Sequence, residues 1–375
     1  MNTPPASVTL VSAGDAARRL GIRPASLYAY VSRGLVRSFA SPHDPRQRLY
    51  AADDVEALLR RRTRFRRPAA AAATALDWGL PVLESHLTQI TNGRLFYRGQ
   101  DAVALAETAT FEEVAQLLIG RPLRTPGRAI PARGLDGGSD FLGRAISLLA
   151  TMGDAASDPA AILRAMALAA SGTPQKGPLH RHLARAWSVP EPGEDTIRRA
   201  LVLFADHELS TSAFAVRVVA STGARLAEAV IAGLAALSGP RHGGATERVR
   251  ALFEQASKPG GARRLEDALR LEGSLIGFQH PLYPEGDPRA RAILERLPLR
   301  PGDDRILADL VSAGGQPTID TALVLLERAY HLPKGSAFVL FAVGRAAGWL
   351  AHAIEQQDQD RLIRPRARYV IGEAP

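Results

Sequence analysis

Phe111-Glu112-Glu113-Val114-Ala115-Gln116-Leu117-Leu118 sets its apolar residues at i, i+3 and i+4, the signature of a helix with one face turned to a core. The same spacing runs through Ala161 to Ala170, Thr196 to Ala205 and Leu226 to Leu237. From about residue 78 onward it dominates. Strand-like alternation is scarce, apart from a short hairpin expected around Asn92-Gly93-Arg94-Leu95-Phe96-Tyr97. Residues 121–195 carry Gly, Pro and small residues with little that is diagnostic, and no internal repeat is present. The pattern predicts an all-α body.

The 375-residue chain is 46% hydrophobic, enough to bury a large core across two or three domains. Cysteine is absent, which excludes disulfides, thiolate metal sites and thiol nucleophiles. Met1-Asn2-Thr3-Pro4-Pro5 lacks the basic-then-apolar order of a signal peptide. Apolar stretches such as Val230 to Leu237 fall short of the ~20 residues that span a bilayer. A soluble cytoplasmic protein is expected.

The net charge of +9 is unevenly placed. Residues 1–67 hold 13 Arg and no Lys against five acidic residues, a balance of +8. The remainder holds 34 basic and 33 acidic residues, a balance of +1. This asymmetry suggests a polyanionic partner for the N-terminal segment. A weaker alternative is compositional: with only Lys176, Lys258 and Lys334, the chain uses Arg almost everywhere.

Residues 9–62 read as a small unit. Asp15 to Leu20 forms a short helix stopped by Gly21, and Pro24 opens a second helix that ends at Gly34. Val36 to Phe39 and Arg48 to Tyr50 have strand character and flank the turn-rich Ser41-Pro42-His43-Asp44-Pro45. Asp53 and Asp54 start a third helix. With Ser26-Leu27-Tyr28-Ala29-Tyr30-Val31-Ser32-Arg33-Gly34-Leu35 at its centre, the stretch resembles MerR-like and excisionase-like winged helix-turn-helix modules. The resemblance implies DNA contact through Arg23, Ser26, Tyr30 and Arg33 in the major groove, with Arg46 and Arg48 on phosphate from the wing. A role for Tyr28 or Tyr30 in the core, with the module serving protein contacts, is the alternative. Residues 63–77, arginine-rich and then alanine-rich, read as a linker.

The most specific chemistry lies in four places: Asp206-His207-Glu208, Gly239-Pro240-Arg241-His242-Gly243-Gly244, Gly277-Phe278-Gln279-His280-Pro281 and Pro317-Thr318-Ile319-Asp320. Three imidazoles and a carboxylate suit proton transfer at carbon and oxygen near neutral pH. There is no Walker A motif, GxGxxG, HExxH or GxSxG. His180 and His182, two apart, are expected on different faces of a helix and so not as a metal pair; no metal site is expected. His43, His86, His331 and His352 show no convincing partners and read as structural.

These segments, with Gly93-Arg94-Leu95, Gly286-Asp287-Pro288-Arg289, Phe341-Ala342-Val343-Gly344-Arg345-Ala346-Ala347-Gly348-Trp349 and Ile363-Arg364-Pro365-Arg366, resemble the citrate synthase family over nearly all of residues 79–370. The resemblance implies a two-domain helical body, with a large domain at 78–244 and 331–375 and a small one at 245–330. It implies condensation of acetyl-CoA with oxaloacetate to citrate and CoA, with acetyl-CoA as substrate and no permanently bound cofactor. Asp320 would be the base, His242 the partner of the thioester oxygen and His280 the group polarising the acceptor ketone. His207, Arg289 and Arg345 would bind oxaloacetate, and Arg364 would complete the neighbouring subunit's site in a homodimer. Alternatives are 2-methylcitrate synthase, acting on propionyl-CoA, and a metabolite-sensing transcription regulator built on the same body. The chain departs from the family pattern at Ser210-Thr211, Arg241, Thr246, Ile276 and Gln279, none of them a catalytic group.

Overall fold

The computed structural model describes residues 10–20, 22, 27–28, 30–31, 35–41, 44, 47–56, 58, 82–123, 140–261 and 275–367. It divides into two compact units, Met1–Glu84 and Ser85–Pro375.

In the first unit, strand β1 (Leu10–Ser12) runs into helix α1 (Ala13–Leu20). Strands β2 (Ser38–Ala40) and β3 (Arg48–Ala51) complete an antiparallel sheet in the order β1-β3-β2. β2 and β3 agree with the sequence reading. β1 was not expected; three residues are too few to show alternation. Ser12 Oγ accepts from the Asp15 amide (3.1 Å), which fixes the start of α1. Ala16, Leu20, Leu27, Val36, Tyr50, Val55 and Leu58 form a small core. Tyr30 packs against that core, Tyr28 is 65% exposed, and Arg48 is exposed. Arg23, Ser26, Arg33, Arg46 and the 63–77 linker lie outside the described residues.

The described residues of the second unit are mostly helical, with one sheet among them, of strands β4 (Thr88–Thr91), β5 (Arg94–Tyr97) and β6 (Gln100–Asp101). The expected hairpin is β4–β5. Asn92 and Gly93 both take positive φ (50° and 69°), the turn that matches strand twist. Helices α2 (Ala102–Thr108) and α3 (Phe111–Ile119) follow. Thr110 and Glu113 form a capping box at the start of α3, and Gly120 closes it in the left-handed region. The apolar spacing of residues 111–118 is therefore that of a helix, with Phe111, Val114, Ala115 and Leu118 buried.

The remaining helices are α4 (Phe141–Ala150), α5 (Pro159–Ser171), α6 (Leu179–Ala186), α7 (Glu191–Leu203), α8 (Thr211–Ala220) and α9 (Leu226–Leu237). They continue with α10 (Ala245–Ala256), α11 (Pro288–Leu294), α12 (Asp303–Gly314), α13 (Ile319–Ala329) and α14 (Ser336–Asp358). α4 and α6 were not legible in the sequence, being set among Gly, Pro and small residues.

α14 is the one helix of the described residues long and apolar enough to cross a membrane, at 23 residues, although its apolar window is 83% buried in the body. It is the central strut of the core. Gly344 and Gly348 let it touch the chain before His207: a Cβ at Gly348 would collide with the Asp206 carboxylate and the Ala205 carbonyl. The Gly348 amide instead donates to Ala205 O at 2.8 Å.

Candidate active site

His207 follows the end of α7 in a tight turn whose next residue, Glu208, has φ +50°. Glu208 is held there because its side chain accepts from the Ile90 amide on β4 (2.8 Å). The His207 ring is buried, with Nε2 3.0 Å from the Tyr283 hydroxyl. Its centroid lies 5.3 Å from that of His280, edge to face, and the His280 and Tyr283 centroids are 5.1 Å apart. Two of the sequence's histidine neighbourhoods therefore meet.

His280 is presented by a turn in which the Leu282 amide donates to His280 Nδ1 (3.2 Å) and the Tyr283 amide to His280 O (2.9 Å). With Nδ1 accepting, a neutral ring carries its proton on Nε2. The same segment is laced to the start of α13: Gln279 N donates to Gln316 O and Thr318 N to Gly277 O, both at 2.8 Å. Gly277, at φ +82°, has no room for a side chain, since a Cβ would strike Thr321 and Val249. This lacing places Asp320, in the first turn of α13, in the neighbourhood of His280. Asp320 is not the helix cap; its Oδ2 is 3.4 Å from Thr318 Oγ1.

Arg289 is buried and gripped by Asp287 through Nε and Nη2 (2.9 and 2.8 Å), while its guanidinium lies 5.2 Å from the Tyr283 ring centroid. Asp287 also accepts from the Ile319 amide (3.1 Å), tying Arg289 to the Asp320 helix. Arg345, buried on α14, donates to the Phe204 carbonyl (2.9 Å) and to Ser210 Oγ (3.2 Å) and lies 5.0 Å over Phe341. His242 sits in the turn after α9, its Nε2 2.8 Å from Ser212 Oγ and its ring edge-on to Phe341 at 5.6 Å. Ser212 thus occupies Nε2, so Nδ1 is the nitrogen left for a ligand.

The electrostatics divide the roles. Burial, then Arg289, Arg345 and the other imidazoles, holds His207 well below its usual range. Burial with Arg345 takes His242 down to about 3, and burial with Arg289 takes His280 to about 4. All three rings are neutral near pH 7 and act as hydrogen-bond donors rather than cations. Asp320 moves the other way. Burial lifts its carboxyl to about 6, although Arg289 pulls against that rise. A carboxylate that ionises just below neutrality is a base suited to removing a proton from carbon.

Arg364 is exposed, and among the described residues no hydrogen bond or ion pair joins it to this cluster within its own chain. The sequence reading missed Tyr283, Ser212 and Asp287 as partners of site residues. Asp287 alone left a signal, as an N-cap candidate before Pro288 and Arg289. His352, read as structural with no convincing partner, is buried in the core, where its Nε2 lies 3.3 Å from Asp206 Oδ1 without a well-formed hydrogen bond. His180 and His182 lie on α6 with separate partners, Glu194 at 3.9 Å and Ser171 Oγ at 2.8 Å. No group of metal-ligating side chains occurs among the described residues.

The family model described as "Citrate synthase, C-terminal domain" matches residues 75–176 and 139–366. The chain belongs to the citrate synthase family. The match to the citrate synthase of Corynebacterium glutamicum is 32% identical over 372 residues, covering 78% of this chain and 84% of that protein. Other curated relatives are matched over about half their length, among them citrate synthase 2 of Bacillus subtilis, 34% identical over 193 residues (48% of this chain, 52% of the relative). The structure is similar to citrate synthase from Thermoplasma acidophilum in a ternary complex with carboxymethyl coenzyme A and oxaloacetate. That likeness has a TM-score of 0.64 at 26% identity and covers 79% of this chain and 95% of the other.

Proposed function

We propose that the chain condenses acetyl-CoA with oxaloacetate to give citrate and CoA. The observation that carries this reading is the pairing of one carboxyl near pH 6 with neutral imidazoles and two buried guanidinium groups in a family member. Asp320 takes a proton from the thioester methyl. His242 donates through Nδ1 to the thioester oxygen and steadies the enol. The enol carbon attacks the ketone of oxaloacetate, whose oxygen His280 polarises through Nε2–H. Water then cleaves the thioester and releases CoA as the free thiol. His207, Arg289 and Arg345 hold the acceptor's carboxylates, each charge-assisted bond contributing about 1.5–3 kcal/mol.

The division into a large domain (78–244 and 331–375) and a small domain (245–330) is part of this reading, with closure excluding water until carbon–carbon bond formation is complete. Arg364, exposed and outside its own chain's cluster, serves the neighbouring subunit of a homodimer. Activity is cytoplasmic. Thiol release from acetyl-CoA, dependent on oxaloacetate, tests the reaction. No release with either acetyl-CoA or propionyl-CoA would overturn it, and the faster donor decides between citrate and 2-methylcitrate.

The N-terminal unit is a winged helix-turn-helix that binds DNA. Its charge balance of +8 over residues 1–67 and the two helical segments beside a β2–β3 wing support this. Gel-shift of the full chain on mixed-sequence DNA is the test; no retardation near physiological salt would overturn it. The condensing body and the DNA-binding unit are compatible in one chain.

A further inference from the structure

The buried Asp206–His352 pair lies beneath the acceptor side of the site, and the reaction above makes no use of it. His352 Nε2 is 3.3 Å from Asp206 Oδ1, close but out of line for a well-formed hydrogen bond, and both side chains are shut off from water. The other carboxylate oxygen accepts from Thr88 Oγ1 at 2.5 Å. Gly348, four residues before His352, brings α14 hard against this carboxylate. The next residue after Asp206 is His207, and the carbonyl of Phe204 receives Arg345 Nε at 2.9 Å.

Asp206 therefore has the Thr88 hydroxyl on one carboxylate oxygen and the His352 ring against the other. Without His352, a buried carboxylate would keep only the Thr88 hydroxyl and would be drawn to Arg345, to which it is already electrostatically coupled. Arg345 would then be partly neutralised from behind and lost to the acceptor. We propose that His352 is a positioning residue for acceptor binding: by engaging Asp206 it holds the Phe204–His207 segment so that Arg345 and His207 face the acceptor. This rests on the condensation reaction proposed above.

The test compares wild type, His352→Leu and His352→Gln in the thiol-release assay, with oxaloacetate binding followed by calorimetry. Gln carries an amide nitrogen near the place of Nε2; Leu fills the space and offers no donor. His352→Leu is expected to raise the KM for oxaloacetate about ten-fold while kcat and the KM for acetyl-CoA stay within about three-fold, because His242 lies on a separate segment. His352→Gln is expected to restore the oxaloacetate KM. If His352→Leu does not fold, His352→Asn takes its place, since Asn offers its amide near Nδ1 and should behave as Leu does.

An unchanged oxaloacetate KM in the Leu or Asn variant would overturn the positioning role alone. So would equal loss of both KM values and kcat that Gln does not rescue, the mark of a merely structural residue. A wild type that neither binds oxaloacetate nor releases thiol would overturn the condensation reading, and this inference with it.

Discussion

Asp320→Asn separates the cost of holding a charge from the loss of a base. The carboxyl is lifted by burial from 3.8 to about 6 in the folded chain. Below pH 3.8 it is neutral whether the chain is folded or not, and burial of the charge costs nothing. Between pH 3.8 and about 6 the unfolded chain ionises while the folded chain keeps its proton, so stability falls across that window, and above about 6 the folded protein holds the charge at the full cost. The gap corresponds to up to about 3 kcal/mol at pH 7.5, an upper bound because Asp320 retains some solvent contact, and to about half of that at pH 5.

Asn keeps the shape and removes the charge. The variant should therefore be more stable than wild type at pH 7.5, by as much as roughly 5–10 °C in melting temperature, and by clearly less at pH 5. It should also lose essentially all thiol release. The wild-type kcat/KM should fall about ten-fold per pH unit below about 6, with no limb from His242 or His280 above pH 5, since these ionise at about 3 and 4. Scanning calorimetry of both proteins at the two pH values checks the stability claim. A variant no more stable than wild type at pH 7.5, or stabilised equally at both pH values, would refute the assignment of a strained carboxylate base.

Three further outcomes are expected. Tyr283→Phe removes the hydroxyl from His207 Nε2 but keeps the ring against His280, so kcat/KM should fall about ten-fold with little change in melting temperature; a change below two-fold would show the contact to be idle. Gln279→Gly relieves a non-glycine residue at φ +55° and should stabilise the body by about 1 kcal/mol, read as a shift in the urea midpoint; destabilisation would mean that the Gln side chain itself is needed. For the N-terminal unit, DNA affinity should fall steeply with salt, and Arg48→Ala should reduce the slope of log affinity against log salt by about 1, whereas an unchanged slope would place Arg48 away from phosphate.

What could be read from sequence depended on whether the cause was local. Leu226–Leu237 was legible to the residue because twelve positions carry apolar residues at helical spacing, and β4–β5 because the Asn92-Gly93 turn pair precedes a short run of apolar and aromatic residues. His242 and His280 stood out because Gly and Pro around them release the backbone from regular structure. α4 and α6 were hidden by the Gly, Pro and small residues that precede them, which blur the apolar spacing at their starts.

The partners of site residues were harder still. His242 is oriented by Ser212, His207 by Tyr283, Arg289 by Asp287, and Asp206 by His352. Only the Arg289 pair is close in sequence. The other three join segments far apart in the chain that only the fold brings together. The groups proposed to touch substrate were read from the resemblance to the citrate synthase family, while the groups that aim them are products of packing. It follows that substitutions in the aiming group should move KM and pH behaviour before they move the fold, which is the pattern the His352 and Tyr283 variants put to the test.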